Sequence, residues 1–130
     1  MSNLLTKSSE NYKVAHALIS SGQNLAPSVH CSYYACLQTV IHILSTSQSS
    51  LTLINNGAAS HESLINELTK KLGTDFLAVK EFNKIRDLKK YRKESDYTNQ
   101  IISLPTATKA QEISLELKMF FKNKFGVKLP

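Results

Sequence analysis

Arg92 and Asp96 stand four residues apart near the end of the segment Arg86-Asp-Leu-Lys-Lys-Tyr-Arg-Lys-Glu-Ser-Asp-Tyr97. On an α-helix, at about 100° per residue, Arg92 falls close to the direction of Ile85, and Asp96 between Phe82 and Ile85. With Val79 these apolar residues form the stripe that such a helix turns toward a core. A guanidinium and a carboxylate aimed the same way need partners, because an unpaired buried charge is very costly. Two kinds of chemistry fit the pattern. One is a structural lock in which the two charges satisfy each other. The other is a ligand site in which the planar guanidinium fork takes phosphate in a bidentate grip. Either way, the expectation is a partly buried Arg92–Asp96 pair.

The surrounding segment is basic. Residues 80–93 hold seven basic side chains against two acidic ones, Glu81 and Asp87. Of the formal net charge of +6, residues 1–60 carry only Lys7, Glu10 and Lys13, so nearly all the excess lies in the second half. A basic helix suits an anionic partner such as a nucleotide or RNA, with Arg86, Lys89 and Arg92 as phosphate ligands. Tyr91 and Tyr97 border the segment and offer rings on which a base can stack. A solvated face that keeps the protein dissolved explains the same charges equally well.

Histidine is the side chain best suited to proton transfer near neutral pH. Of the four histidines, His16 and His61 fall on the inner faces of their expected helices, where a satisfied core histidine is the commoner outcome. His61 is the better functional candidate, since it opens a helix beside Glu62, where the positive end of the dipole favours a neutral imidazole or a nearby anion. His30 and His42 look peripheral. No histidine pair or Cys/His cluster has metal-ligand spacing, and no Gly-rich phosphate loop or nucleophile–base motif appears. Neither a metal nor a cofactor is expected. Cys31 and Cys36 lie five residues apart on one helix, too far apart to bridge, and read as reduced thiols.

The elements that must position these residues are helices. At 130 residues, 42% apolar, with four Gly and three Pro, the chain fits one helical domain over 1–130 with a real core. No apolar run approaches the roughly 20 residues of a membrane span, and no signal peptide is visible, which makes a cytoplasmic protein the expectation. The first helix runs from about residue 7 to Ser21 and stops at Gly22, with Tyr12, Ala15, His16 and Ile19 inward. The second runs from Pro27-Ser28 to about Ser45. Its apolar girth of Val29, Tyr33, Cys36, Leu37, Val40 and Leu44, widened by Tyr34 and Ile41, suits a central helix. That width also suggests a homodimer or a partner helix.

A Ser/Thr-rich connection with an Asn55-Asn56-Gly57 turn follows, then a short helix capped by Ser60 and ended by Gly73. Thr74 caps the long helix of residues 75–94. After a polar loop containing Pro105, Thr108-x-x-Gln111 matches a capping box. The last helix turns Ala110, Ile113, Leu117, Phe120 and Phe121 inward and stops at Gly126. The fold expected is an all-α antiparallel bundle of four to five helices.

Three segments together resemble the HEPN-domain family, in particular its small stand-alone prokaryotic members. They are Ser32-Tyr-Tyr-Ala-Cys-Leu37, His61-Glu-Ser-Leu-Ile65, and Leu88 through the Arg92-Lys-Glu-Ser-Asp-Tyr97 ending. The resemblance spans roughly residues 8–125. It implies a helical bundle, often dimeric, commonly encoded beside a minimal nucleotidyltransferase in toxin–antitoxin or defence pairs. Some members bind nucleotides, and many are metal-independent RNases with an Arg followed four to six residues later by His. Here Arg92 is followed by Tyr97, and no histidine follows His61. A neutral-pH general base is therefore missing from that helix.

The leading expectation is a nucleotide- or RNA-binding regulatory module without nuclease activity, its ligand held by Arg86, Lys89, Arg92, Asp96 and Tyr97. A metal-independent RNA endonuclease using Arg92, Tyr97 and His61 is the enzyme alternative. A structural or protein-interaction bundle locked by Arg92–Asp96 is the third.

Overall fold

In a computed structural model of the protein, the residues described are 3–45, 66, 70, 76–99 and 101–130. Among them the fold is all-α: four helices and no strand. They are α1 (Asn3–Ser21), α2 (Leu25–Ser45), α3 (Phe76–Tyr97) and α4 (Leu104–Phe125). The expected turn at Asn55–Gly57, the short helix after Ser60 with its His61, and the Thr74 cap lie outside the described residues.

Turn chemistry sets the ends. Gly22 adopts φ +71 and donates its N–H to Ile19 O at 3.0 Å, which closes α1 where the sequence predicts. α2 starts at Leu25, directly after Asn24 at φ +58 and two residues before the expected Pro27. The proline then sits in the first turn, where its missing N–H is not needed. α4 begins at Leu104, not at the expected capping box. Ser103 is the N-cap, its Oγ accepting from Thr106 N at 3.3 Å, with Pro105 in the first turn. Thr108 lies inside the helix because Ser103 and Pro105 already form a complete start signal. α1 starts earlier than expected, at Asn3, and α3 runs on to Tyr97.

Inter-helix contacts give the directions. Tyr34 meets Arg92 and, one turn away, His30 meets Asp96, so α2 and α3 are antiparallel. Tyr12 OH donates to Ser114 O at 3.1 Å while His16 lies near Gln111, so α1 and α4 are antiparallel as well. α2 touches all three of the other described helices. Its Val29, Tyr33, Cys36, Leu37, Val40 and Leu44 are buried against Phe82, Ile85 and Leu88 of α3 and Ala110, Ile113, Leu117 and Phe121 of α4. That part of the broad apolar girth packs within the chain, while Tyr34 and Ile41 are partly buried.

Buried hydroxyls tie the bundle together. Ser8 Oγ donates to Ala35 O at 2.6 Å, and Ser114 Oγ to Ser32 O at 2.7 Å. Lys84 bridges Glu81 on its own helix and Glu116 on α4, each at 3.0 Å, so one of the seven basic residues serves the fold. No helix among the described residues is long and apolar enough to cross a membrane.

Candidate functional site

The site forms where the first turns of α2 lie against the last turns of α3. Arg92 follows Ile85 and Leu88 along the inner face and is 8% exposed, as its angular position predicts. Its Nε lies 3.0 Å from Asp96 Oδ2. That N–H is not aligned on the oxygen, so the contact is ionic rather than a directed hydrogen bond. Nη2 donates to Tyr34 OH at 2.9 Å and to Tyr97 OH at 3.1 Å. The guanidinium carbon lies 5.0 Å from the Tyr97 ring centroid, 5.4 Å from that of Tyr34 and 5.7 Å from that of Tyr33. Three aromatic faces therefore surround the cation, an arrangement that favours a planar, weakly hydrated guanidinium over a compact, strongly hydrated ammonium. None of these contacts uses Nη1.

Asp96 Oδ2 serves two partners. Besides Arg92 it meets His30 Nδ1 at 2.9 Å. The Asp96 carboxylate is one-fifth exposed although the helix end around it is open, and the His30 ring is about half exposed. A carboxylate only accepts, so its hydrogen bond fixes the imidazole proton on Nδ1 and leaves Nε2 to the outside. The ring also packs on Tyr34, centroid to centroid 4.5 Å, and Tyr34 meets Tyr33 edge-on at 5.2 Å.

Tyr97 closes the site from above and is 71% exposed. Arg86, Lys90 and Lys93 are exposed too. Residues 86, 90, 93 and 97 recur every three or four positions, so they form one stripe along α3 that leads to Tyr97. Lys89 is half-buried at the edge of this stripe.

The structure thus joins Arg92, Asp96 and Tyr97 and places Arg86 on the cationic approach. His61 lies outside the described residues. Tyr91 is partly buried and packs against the core. His16, expected inward, is exposed, with its Nδ1 3.4 Å from Gln111 Nε2. The inner face of α1 is centred on Ser8, Tyr12 and Ala15, which leaves His16 on the rim. His30 is the residue sequence reasoning passed over, although its spacing to Tyr34 is the same four residues as Arg92 to Asp96.

His42, also read as peripheral, is half-buried in a cleft of about 420 Å³ with Leu5, Ile43, Phe125, Gly126, Val127 and Lys128. That cleft lies at the opposite end of α2 and includes none of the residues above. Cys31 and Cys36 are free thiols. Among the described residues, no group of three or more His, Cys, Asp or Glu side chains is placed to hold a metal ion. No family model, no curated protein and no solved structure matches the chain.

Proposed function

We propose that the protein is a HEPN-like nucleotide- or RNA-binding regulatory module whose ligand meets the end of α3. Tyr97 carries the reading. A tyrosine that is 71% exposed, backed by a guanidinium at 5.0 Å and reached along a row of three exposed cations, suits a stacked base with its phosphates on the row. Stacking asks only for a π-face and phosphate contact only for charge, so this surface fits single-stranded RNA or a nucleotide without a sequence code. Arg92 adds the N–H groups of Nη1, and Asp96 orients it. Lys89 extends the cationic edge.

The helical bundle and the Arg-x-x-x-Asp-Tyr ending agree with the HEPN resemblance. That resemblance supplies the rest of the proposal: a minimal nucleotidyltransferase protein or a second copy of the chain as partner, a toxin–antitoxin or defence setting, and a cytoplasmic location. The test is fluorescence anisotropy with a labelled single-stranded RNA. Wild type should bind in the micromolar range or weaker, and Tyr97→Ala should lose roughly tenfold or more, the worth of one base–aromatic stack. Equal affinities for the two proteins would rule out the Tyr97 site.

The His30–Asp96 pair favours one second reading, a metal-independent RNA endonuclease. An imidazole oriented by a carboxylate is an arrangement for general acid–base work, and α2 would provide what α3 lacks. The binding module predicts intact RNA after incubation without metal. Fragments that disappear with His30→Ala would establish the nuclease instead.

A further inference from the structure

Resting on the binding reading above, we infer that His30 makes the site selective for ribose, so that its ligand is RNA or a ribonucleotide rather than DNA. The Asp96 carboxylate holds the proton on Nδ1 at 2.9 Å, and the Tyr34 ring at 4.5 Å fixes the plane of the imidazole. In the tautomer so fixed the ring presents one lone pair, on Nε2, from a side chain that is about half exposed. Its neighbour on the same carboxylate oxygen is Arg92, whose Nη1 supplies donors. A fixed acceptor beside fixed donors matches a sugar hydroxyl next to its phosphate: the 2′-hydroxyl donates to His30 Nε2 while the guanidinium takes a phosphate oxygen. Deoxyribose has no proton to give at that position. Phosphate charge and the Tyr97 stack are common to both nucleic acids.

The experiment compares a labelled single-stranded RNA with a DNA of the same sequence carrying uracil in place of thymine, so that only the 2′-hydroxyl differs. Wild type should bind the RNA roughly five- to tenfold more tightly, the worth of one well-placed hydrogen bond. His30→Phe keeps a ring against Tyr34 but loses the nitrogens, and it should bind both strands with the wild-type DNA affinity. A 2′-O-methyl RNA, which keeps the oxygen and loses the proton, should bind wild type like DNA. Equal affinity of wild type for RNA and DNA would overturn the inference, as would a preference that survives in His30→Phe. Salt-sensitive binding without sugar preference removes only the ribose selection, whereas absence of binding to either strand removes the nucleic-acid reading itself.

Discussion

Asp96 holds two cationic or protonated partners on a single oxygen, and that makes it the residue on which the geometry of the site depends. Replacing it by alanine leaves Arg92 among three rings with only the Tyr34 and Tyr97 hydroxyls as partners. A fully buried ion pair broken in this way costs several kcal/mol. Here the carboxylate is one-fifth exposed and water can take its place. Asp96→Ala should therefore destabilise by about 2 kcal/mol, read from urea denaturation; an unchanged midpoint would show that the pair contributes nothing. Cys36 offers a separate check at the same scale. Burial pushes its thiol up to about 12 from 9.0, while unfolding returns it to the ordinary value. Below pH 9 both states keep the proton and stability is independent of this group. Above pH 9 the unfolded chain releases the proton first, so stability falls by about 1.4 kcal/mol per pH unit until the folded thiol also titrates. Between pH 8 and pH 10 wild type should lose about 1.4 kcal/mol more than Cys36→Ala; parallel losses would contradict the burial. Arg92 and Asp96 were legible in the sequence because a helical wheel reports direction about its own axis. His30 was not, because its role depends on which residue of another helix stands opposite. The matched spacings of His30–Tyr34 and Arg92–Asp96 acquire meaning only once α2 and α3 are known to run antiparallel.

At the scale of elements, α2 supplies the acceptor side of the site from its first turns and α3 the cationic side from its last turns. Arg92 also sits near the C-terminal end of α3, where the helix dipole favours positive charge. The ends of the helices were readable where a single residue carries a backbone requirement. Gly22 and Gly126 both adopt the left-handed conformation at the stops assigned to them. Ser103 was harder to recognise, since Thr108-x-x-Gln111 offers a competing cap; Pro105 in the first turn decides between them. Gly126 permits a clean test. A Cβ there would meet nothing within 4 Å, so Gly126→Ala adds backbone strain without a clash. The expected cost is about 1 kcal/mol, seen as a lower Tm. An unaltered Tm would mean that α4 does not end in the left-handed cap.

For the whole molecule, composition and periodicity were enough to give an all-α bundle, because Gly and Pro are scarce and five apolar faces recur at helical spacing. They could not say where the width of α2 would be spent, and the answer is on α1, α3 and α4. Nor could they separate cations that serve the fold from those left in solvent. Lys84 is engaged by two glutamates and Arg92 by Asp96, whereas Arg86, Lys90 and Lys93 stand in a row in solvent. Those three exposed cations form one oriented stripe along α3, and its function is the central claim. The most direct measurement is the affinity for single-stranded RNA across a series of salt concentrations, for wild type and for the variant carrying Arg86→Gln, Lys90→Gln and Lys93→Gln. Releasing counterions from the three phosphates on the row should make the wild-type slope of log K against log salt steeper than the variant's by about 2. Salt-insensitive binding by wild type, or the same slope in both proteins, would contradict the stripe as the nucleic-acid surface.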